Sequence, residues 1–193
     1  ATTIGDGSTL QVFPAEYGPL GGLACGENGN PLLRFALYAQ GEVLHTASWP
    51  AHTDLSPSRL THDLMLLRMR NCAFEGRLFV VSAAEIFTQQ MADIMELDAE
   101  VREAISTAGG YSAIIGPMGQ YLAGPAEPEE TILYADLDME ELIDARYRQD
   151  ITGHYNRFDV VSLNYNGTAN APIRFTTEPA ESVKNLAASN YPE

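Results

Sequence analysis

The sequence predicts an α/β layered architecture, and three observations carry that expectation. Short apolar runs of strand length alternate with amphipathic runs of helix length, in the order strand–helix–strand–helix–strand over residues 20–82. Capping and turn residues sit between these runs, where element ends need them. The composition, 45% apolar and 19% charged, is that of a globular chain, and 193 residues suit one domain or part of a larger one.

The elements follow in order. Leu10–Phe13 reads as a short strand and Tyr17–Gly21 as a turn. Leu20–Ala24 is a second apolar run that ends at Cys25. Asn30-Pro31 is an N-cap followed by proline in the first helical turn, so a helix is expected from there, stopping at Gly41. Val43–Ser48 is the next strand, and Trp49–Thr53 a loop. A longer helix is expected from Ser58 to near Gly76, with Leu60, Leu64, Leu67 and Cys72 on its apolar stripe. Leu78–Ser82 is a buried strand. Residues 84–110 are less regular, with a short acidic helix over 98–108 ended by Gly109-Gly110. Tyr111–Ile115 is a strand and Gly116-Pro-Met-Gly119 a hairpin turn. Thr131–Leu137 alternates like a strand, a helix is expected from Met139 to about Arg148, and Asp159–Asn164 reads as a last strand. After Gly167 the chain turns polar, so 167–193 is expected to be a tail or assembly segment following a domain over 1–166.

Charge excludes some functions. Against 26 acidic residues stand 11 basic ones, a net charge of -15, which repels nucleic-acid backbones and anionic lipid. No run approaches the roughly 20 apolar residues of a membrane helix. Ala1-Thr-Thr-Ile-Gly5 has neither a basic nor an apolar leader run, and a start without Met is expected of a processed chain or a fragment. Two cysteines are too few for a disulfide scaffold, so a reduced, cytoplasmic setting is expected. His45, His52, His62 and His154 show no metal-ligand spacing, and neither a metal nor another cofactor is expected.

Cys25 is the residue whose surroundings suit chemistry. A thiol attacks as thiolate, and a turn between a strand and a helix N-terminus exposes sulfur and aims backbone N–H groups at developing negative charge. Gly22, Gly26 and Gly29 allow close approach of a substrate. Local pattern alone leaves a buried structural thiol as the commoner outcome for a cysteine at a strand end. Cys72, on a helical apolar stripe, is expected to be structural. His154, Tyr155 and Arg157 form a polar group expected to brace the fold or a subunit contact, and the acidic groups at Glu127–Glu130 and Glu140-Glu141 are expected to be solvated.

Several motifs, in order, shift that balance. Gly21-Gly-Leu-Ala-Cys-Gly-Glu-Asn-Gly-Asn-Pro-Leu-Leu-Arg-Phe-Ala-Leu-Tyr-Ala-Gln-Gly41 resembles the nucleophile segment of nitrilases. His45-Thr-Ala-Ser-Trp-Pro50 resembles the next strand and pocket loop, and Phe74-Glu-Gly-x-x-Phe-Val80 the run before the strand after it. Ile115-Gly-Pro-x-Gly119, Glu130-Thr-Ile-Leu-Tyr-Ala-Asp-Leu-Asp138 and Gly153-His-Tyr-Asn-Arg-Phe-Asp-Val160 are similar to three further signatures of that family. The resemblance covers roughly residues 5–166.

The resemblance implies part of a four-layer α-β-β-α sandwich and a Glu-Lys-Cys set that hydrolyses a nitrile to a carboxylic acid and ammonia. It places the nucleophile at Cys25, with Gly26, Glu27, Asn28, Trp49, Pro50 and His52 around the oxyanion and pocket, and Glu75 in a structural role close by. The family's Trp after the cysteine is Gly26 here, which is expected to reshape the pocket beside the sulfur. The family's Lys and both its glutamates precede the cysteine. Here only Asp6 and Glu16 are acidic before Cys25, and the sole lysine is Lys184, so this chain is expected to be the C-terminal portion of such an enzyme. Homo-oligomers, from dimers to spirals or filaments, are also implied. Two other readings stay open: a non-catalytic binding or assembly module, and a Cys–His amidase using His45 or His52 as base.

Overall fold

The computed structural model describes residues 5–51, 61–105 and 109–170. These fall into two compact units. The larger is Leu10–Asn164. In the smaller, residues 5–9 meet 165–170, and the Asp6 carboxylate accepts from the backbone N–H groups of Ser8 and Asn170. Those bonds, with one from the Ser8 hydroxyl, hold Asp6 below the usual carboxylate range.

Five strands form one sheet in the order β1 (Leu20–Ala24), β2 (Leu44–Trp49), β3 (Phe79–Ala84), β4 (Ala113–Ile115) and β5 (Tyr121–Ala123). The first three are parallel, and β4 and β5 join antiparallel. Parallel neighbours need crossovers, and helices supply them: α1 (Pro31–Tyr38) follows β1, and α2 (Thr61–Gly76) follows β2. The Asn30 side chain accepts from Leu32 N–H and starts α1, as predicted. At the hairpin between β4 and β5, Gly119 takes φ +77° and donates its N–H to Gly116 O.

One face of the sheet packs on α1 and α2. Its core contains Tyr38, Ala47, Trp49, Met65, Met69, Cys72, Val80 and Ile115. Met65, Met69, Cys72 and Ala73 follow one side of α2 at helical spacing, whereas Leu64 and Leu67 are exposed, contrary to the sequence expectation. Cys72 is buried as expected, and Met65 and Met69 share its side of the helix in place of the two leucines. Leu60 lies outside the described residues.

On the opposite face, α5 (Glu140–Arg148) places Leu142 against Leu44 and Phe79, at the start of β2 and β3. The far half of that face is open. Gly22, Ala24, Thr46, Ser48 and Ala83 are exposed there and line a groove of about 650 Å³.

Other elements differ from expectation. Leu10–Phe13 is not a strand but contributes a single bridge, Phe13 to Leu20. Thr131–Leu137 and Asp159–Asn164 form no strand. Both keep strand-like composition, but among the described residues no strand bonds to their backbone, and pairing rather than composition makes a strand. The described part of residues 84–110 holds two helices, α3 (Gln89–Ile94) and α4 (Ala99–Ile105). Thr88 caps the first and Asp98 the second. Arg102 ties them by donating to Leu97 O, Ala92 O and Asp93.

Candidate active site

Cys25 stands at the C-terminal end of β1, where the chain enters a 3₁₀ turn over Cys25–Gly29. Its φ is +46°, in the left-handed region that costs a non-glycine residue roughly 1–3 kcal/mol. The residue is half-buried, and it packs against the core that holds Trp49. The other thiol, Cys72, is fully buried and accepts from the Tyr38 hydroxyl at 3.2 Å. Burial pushes the Cys72 thiol up to about 12, which makes it chemically quiet.

The turn is braced from within. Glu27 Oε2 accepts from Ala24 N–H at 2.9 Å. Asn28, fully buried, donates through Nδ2 to Leu23 O at 2.9 Å and Cys25 O at 3.3 Å. Its Oδ1 lies 2.9 Å from His45 Nε2, and His45 Nδ1 lies 2.8 Å from Glu42 Oε1. Asn28 O accepts from Arg34 Nη1 at 2.7 Å, and Arg34 Nη2 pairs with Glu75 at 2.8 Å. One connected polar network therefore joins β1, the turn, α1, β2 and α2.

The network dictates proton positions. Asn28 Nδ2 faces two carbonyls, so Oδ1 faces His45 and can only accept. His45 Nε2 must then carry hydrogen. The Nδ1–Glu42 contact needs one more proton, on either the ring or the acid. A proton between Nδ1 and Oε1 would leave the pair neutral as a unit, an arrangement that lets two ionisable groups be fully buried together. Both ring nitrogens of His45 are thus engaged away from Cys25, and the Cys–His reading through His45 loses its base. The other histidine of that reading, His52, lies outside the described residues, as does Lys184.

The remaining expected site residues are spread more widely. Trp49 ends β2 and is buried in the core, and Pro50 is exposed just beyond it. Gly26 is exposed, and a side chain there would meet nothing within 4 Å. Ala24 and Glu27, which flank Cys25, line the open groove. Glu16 is exposed in the turn before β1. His154, Tyr155 and Arg157 line a separate groove of about 580 Å³ with Phe35, and Arg157 is paired with Asp159. Among the described residues, no group of three or more His, Cys, Asp or Glu side chains is placed to hold a metal ion, and no helix is long and apolar enough to cross a membrane.

Sequence reasoning missed Glu42, His45 as an internal brace, and Arg34. The signal was present: acidic, imidazole and guanidinium groups beside apolar strand positions must pair when buried.

Comparison with known proteins follows the same lines. The sequence profile of carbon–nitrogen hydrolases matches residues 2–147. An aliphatic nitrilase of Rhodococcus rhodochrous is 38% identical over 172 residues, covering 88% of this chain and 47% of that protein. A nitrilase of Penicillium rubens is 34% identical over 183 residues, covering 91% of this chain and 56% of that protein. The chain spans about half the length of these curated relatives. Among solved structures, a carbon–nitrogen hydrolase from Helicobacter pylori G27 superposes with TM-score 0.58 at 20% identity, over 72% of this chain and 47% of that one. The C. elegans NitFhit protein superposes with TM-score 0.59 at 20% identity, over 85% and 35%. These likenesses show an α/β sandwich fold. With the family profile matched over most of its length, the chain belongs to the carbon–nitrogen hydrolase family.

Proposed function

We propose that Cys25 is the nucleophile of a nitrilase-type hydrolase that converts a nitrile to a carboxylic acid and ammonia. The observation that carries this reading is the conformation of Cys25: a half-exposed thiol held at φ +46° on a strand end, inside a motif that resembles the nitrilase nucleophile segment. Strained backbone of this kind persists where the surroundings over-determine it, which is common at reacting groups.

The chemistry balances as follows. The thiol adds across the nitrile, sulfur bonding to carbon and the proton passing to nitrogen, to give a thioimidate. Water adds to that carbon and ammonia leaves, giving a thioester. A second water releases the acid and restores the thiol. Two waters are consumed for one ammonia and one acid. Gly26 N–H, on the exposed side of the turn, is assigned to the developing negative charge. The general-base Glu and the charge-stabilising Lys are assigned to sequence upstream of this chain, since Asp6 is engaged by Ser8 and Asn170 and Glu16 points to solvent. Relatives named as nitrilases support the substrate class.

Assembly of copies into dimers or longer spirals belongs to the same proposal. Leu32 on α1 and Leu64 and Leu67 on α2 are exposed apolar side chains suited to a subunit contact. Two free thiols fit a reducing compartment. The test is ammonia release by the full-length protein and its Cys25→Ala variant over aliphatic and aromatic nitriles and cyanide. Release by the parent alone supports the proposal, and equal release by both refutes it.

A further inference from the structure

We infer that Glu42, His45 and Asn28 form a positioning relay for Cys25, in which the buried acid–imidazole contact fixes the amide that holds the turn. The inference deepens the proposed function, since it takes Cys25 as the nucleophile.

The relay is anchored at its far end. Arg146 of α5 donates to Glu42 O at 2.7 Å. Gly21 lies so close to the Glu42 carboxylate that a Cβ there would stand 2.0 Å from Oε1. Glu42 is thereby set between β1 and α5, with Oε1 at 2.8 Å from His45 Nδ1. Glu42, His45 and Asn28 are all fully buried, so bulk solvent does not reach their contacts.

The direction of control follows from donor and acceptor chemistry. With Glu42 present, Nδ1 always has a partner for either position of the shared proton, and Nε2 keeps its hydrogen. Without it, Nδ1 is left in a sealed core with no partner, and the ring loses the contact that fixes its angle. The Nε2–Oδ1 contact at 2.9 Å then no longer holds Asn28 in place, and the bonds from Nδ2 to the carbonyls of Leu23 and Cys25 loosen with it. Those carbonyls bracket the strained residue. The relay therefore acts through geometry. It offers the thiol no base, because neither ring nitrogen faces it.

The test compares Glu42→Gln and Glu42→Leu in the full-length protein. Gln can donate an amide N–H to Nδ1 and preserve Nε2–H, whereas Leu removes the partner. Three quantities are read: the rate of Cys25 alkylation by iodoacetamide, kcat and KM on a nitrile, and the unfolding midpoint. Since misplacing a reacting group by an ångström costs on the order of 100-fold, Glu42→Leu is expected to lose about 100-fold in kcat with KM within about threefold, and to change the alkylation rate at least about tenfold. Glu42→Gln is expected to recover both rates to within about threefold of the parent. Alkylation of Glu42→Leu at the parental rate, or a loss in Glu42→Gln as large as in Glu42→Leu, overturns the relay. Alkylation needs no nitrile, so a parent inactive on every nitrile but showing the Leu–Gln difference sinks the substrate reading and sustains the relay. Should Glu42→Leu not fold, ¹⁵N spectra of the parent decide: a protonated His45 Nε2 supports the relay, and an unprotonated one contradicts it.

Discussion

His45 Nε2 lies 2.9 Å from Asn28 Oδ1, and this contact ties β2 to the turn that carries Cys25. Asn28 has no slack, since it is fully buried and both its amide atoms are committed to partners. Replacing it with aspartate keeps the shape and removes two donors, leaving the carbonyls of Leu23 and Cys25 facing an acceptor. Asn28→Asp is expected to lower stability by about 2–3 kcal/mol, the scale of orphaned buried polar groups. Urea unfolding of the full-length protein checks this, and a loss below about 0.5 kcal/mol would contradict the network.

Gly21 is set by the same carboxylate. A methyl at this position would collide with Glu42 Oε1, which is buried and bonded to His45 and cannot swing away. Gly21→Ala is expected to cost at least about 2 kcal/mol or to prevent soluble expression, while Gly26→Ala, whose methyl meets open space, costs under about 1 kcal/mol. Thermal midpoints of the two variants make the comparison.

The two thiols should differ sharply in reactivity. At pH 8 a group near 12 is ionised to about one part in 10,000, and Cys72 is also sealed in the core. Brief treatment with iodoacetamide followed by peptide mass spectrometry is expected to label Cys25 and leave Cys72 unlabelled until the protein is denatured. Labelling of both at similar rates in the native state would contradict the packing of α1 on α2.

Cys72 and Tyr38 also predict an alkaline weakness. Burial raises both above their unfolded values, which are about 8.5 for cysteine and about 10 for tyrosine. Above about pH 8.5 the unfolded chain sheds protons that the native state keeps, so stability falls as pH rises. The contribution is fully present below that pH and is lost through about pH 12 for Cys72. In Cys72→Ala the decline is expected to begin later, in the tyrosine range. A stability curve flat from pH 8 to 11 in the parent would count against the burial of this pair.

Most of the sheet and its crossover helices were legible in the sequence, because caps and turns announce themselves locally. Asn30-Pro31 starts α1 where expected, and Gly116–Gly119 turns the hairpin. What was not legible depends on distant partners. Thr131–Leu137 alternates like a strand yet has no strand bonded to it among the described residues, and Leu64 gives way to Met65 because helix rotation is set by the sheet beneath. At the candidate site, the turn between β1 and α1 that carries Cys25 was legible through its motif and its glycines. The relay was not, since Glu42, His45 and Asn28 are brought together by the β1–β2 register, which pairs Gly21 with His45.

The central claim is that Cys25 attacks the substrate. The most direct measurement is peptide mass spectrometry of the full-length protein, acid-quenched during turnover of a nitrile. The account predicts a mass increase equal to the bound thioimidate or acyl group, confined to the peptide containing Cys25 and absent from Cys25→Ala. Continued ammonia release by Cys25→Ala, or an adduct on another residue, would contradict it.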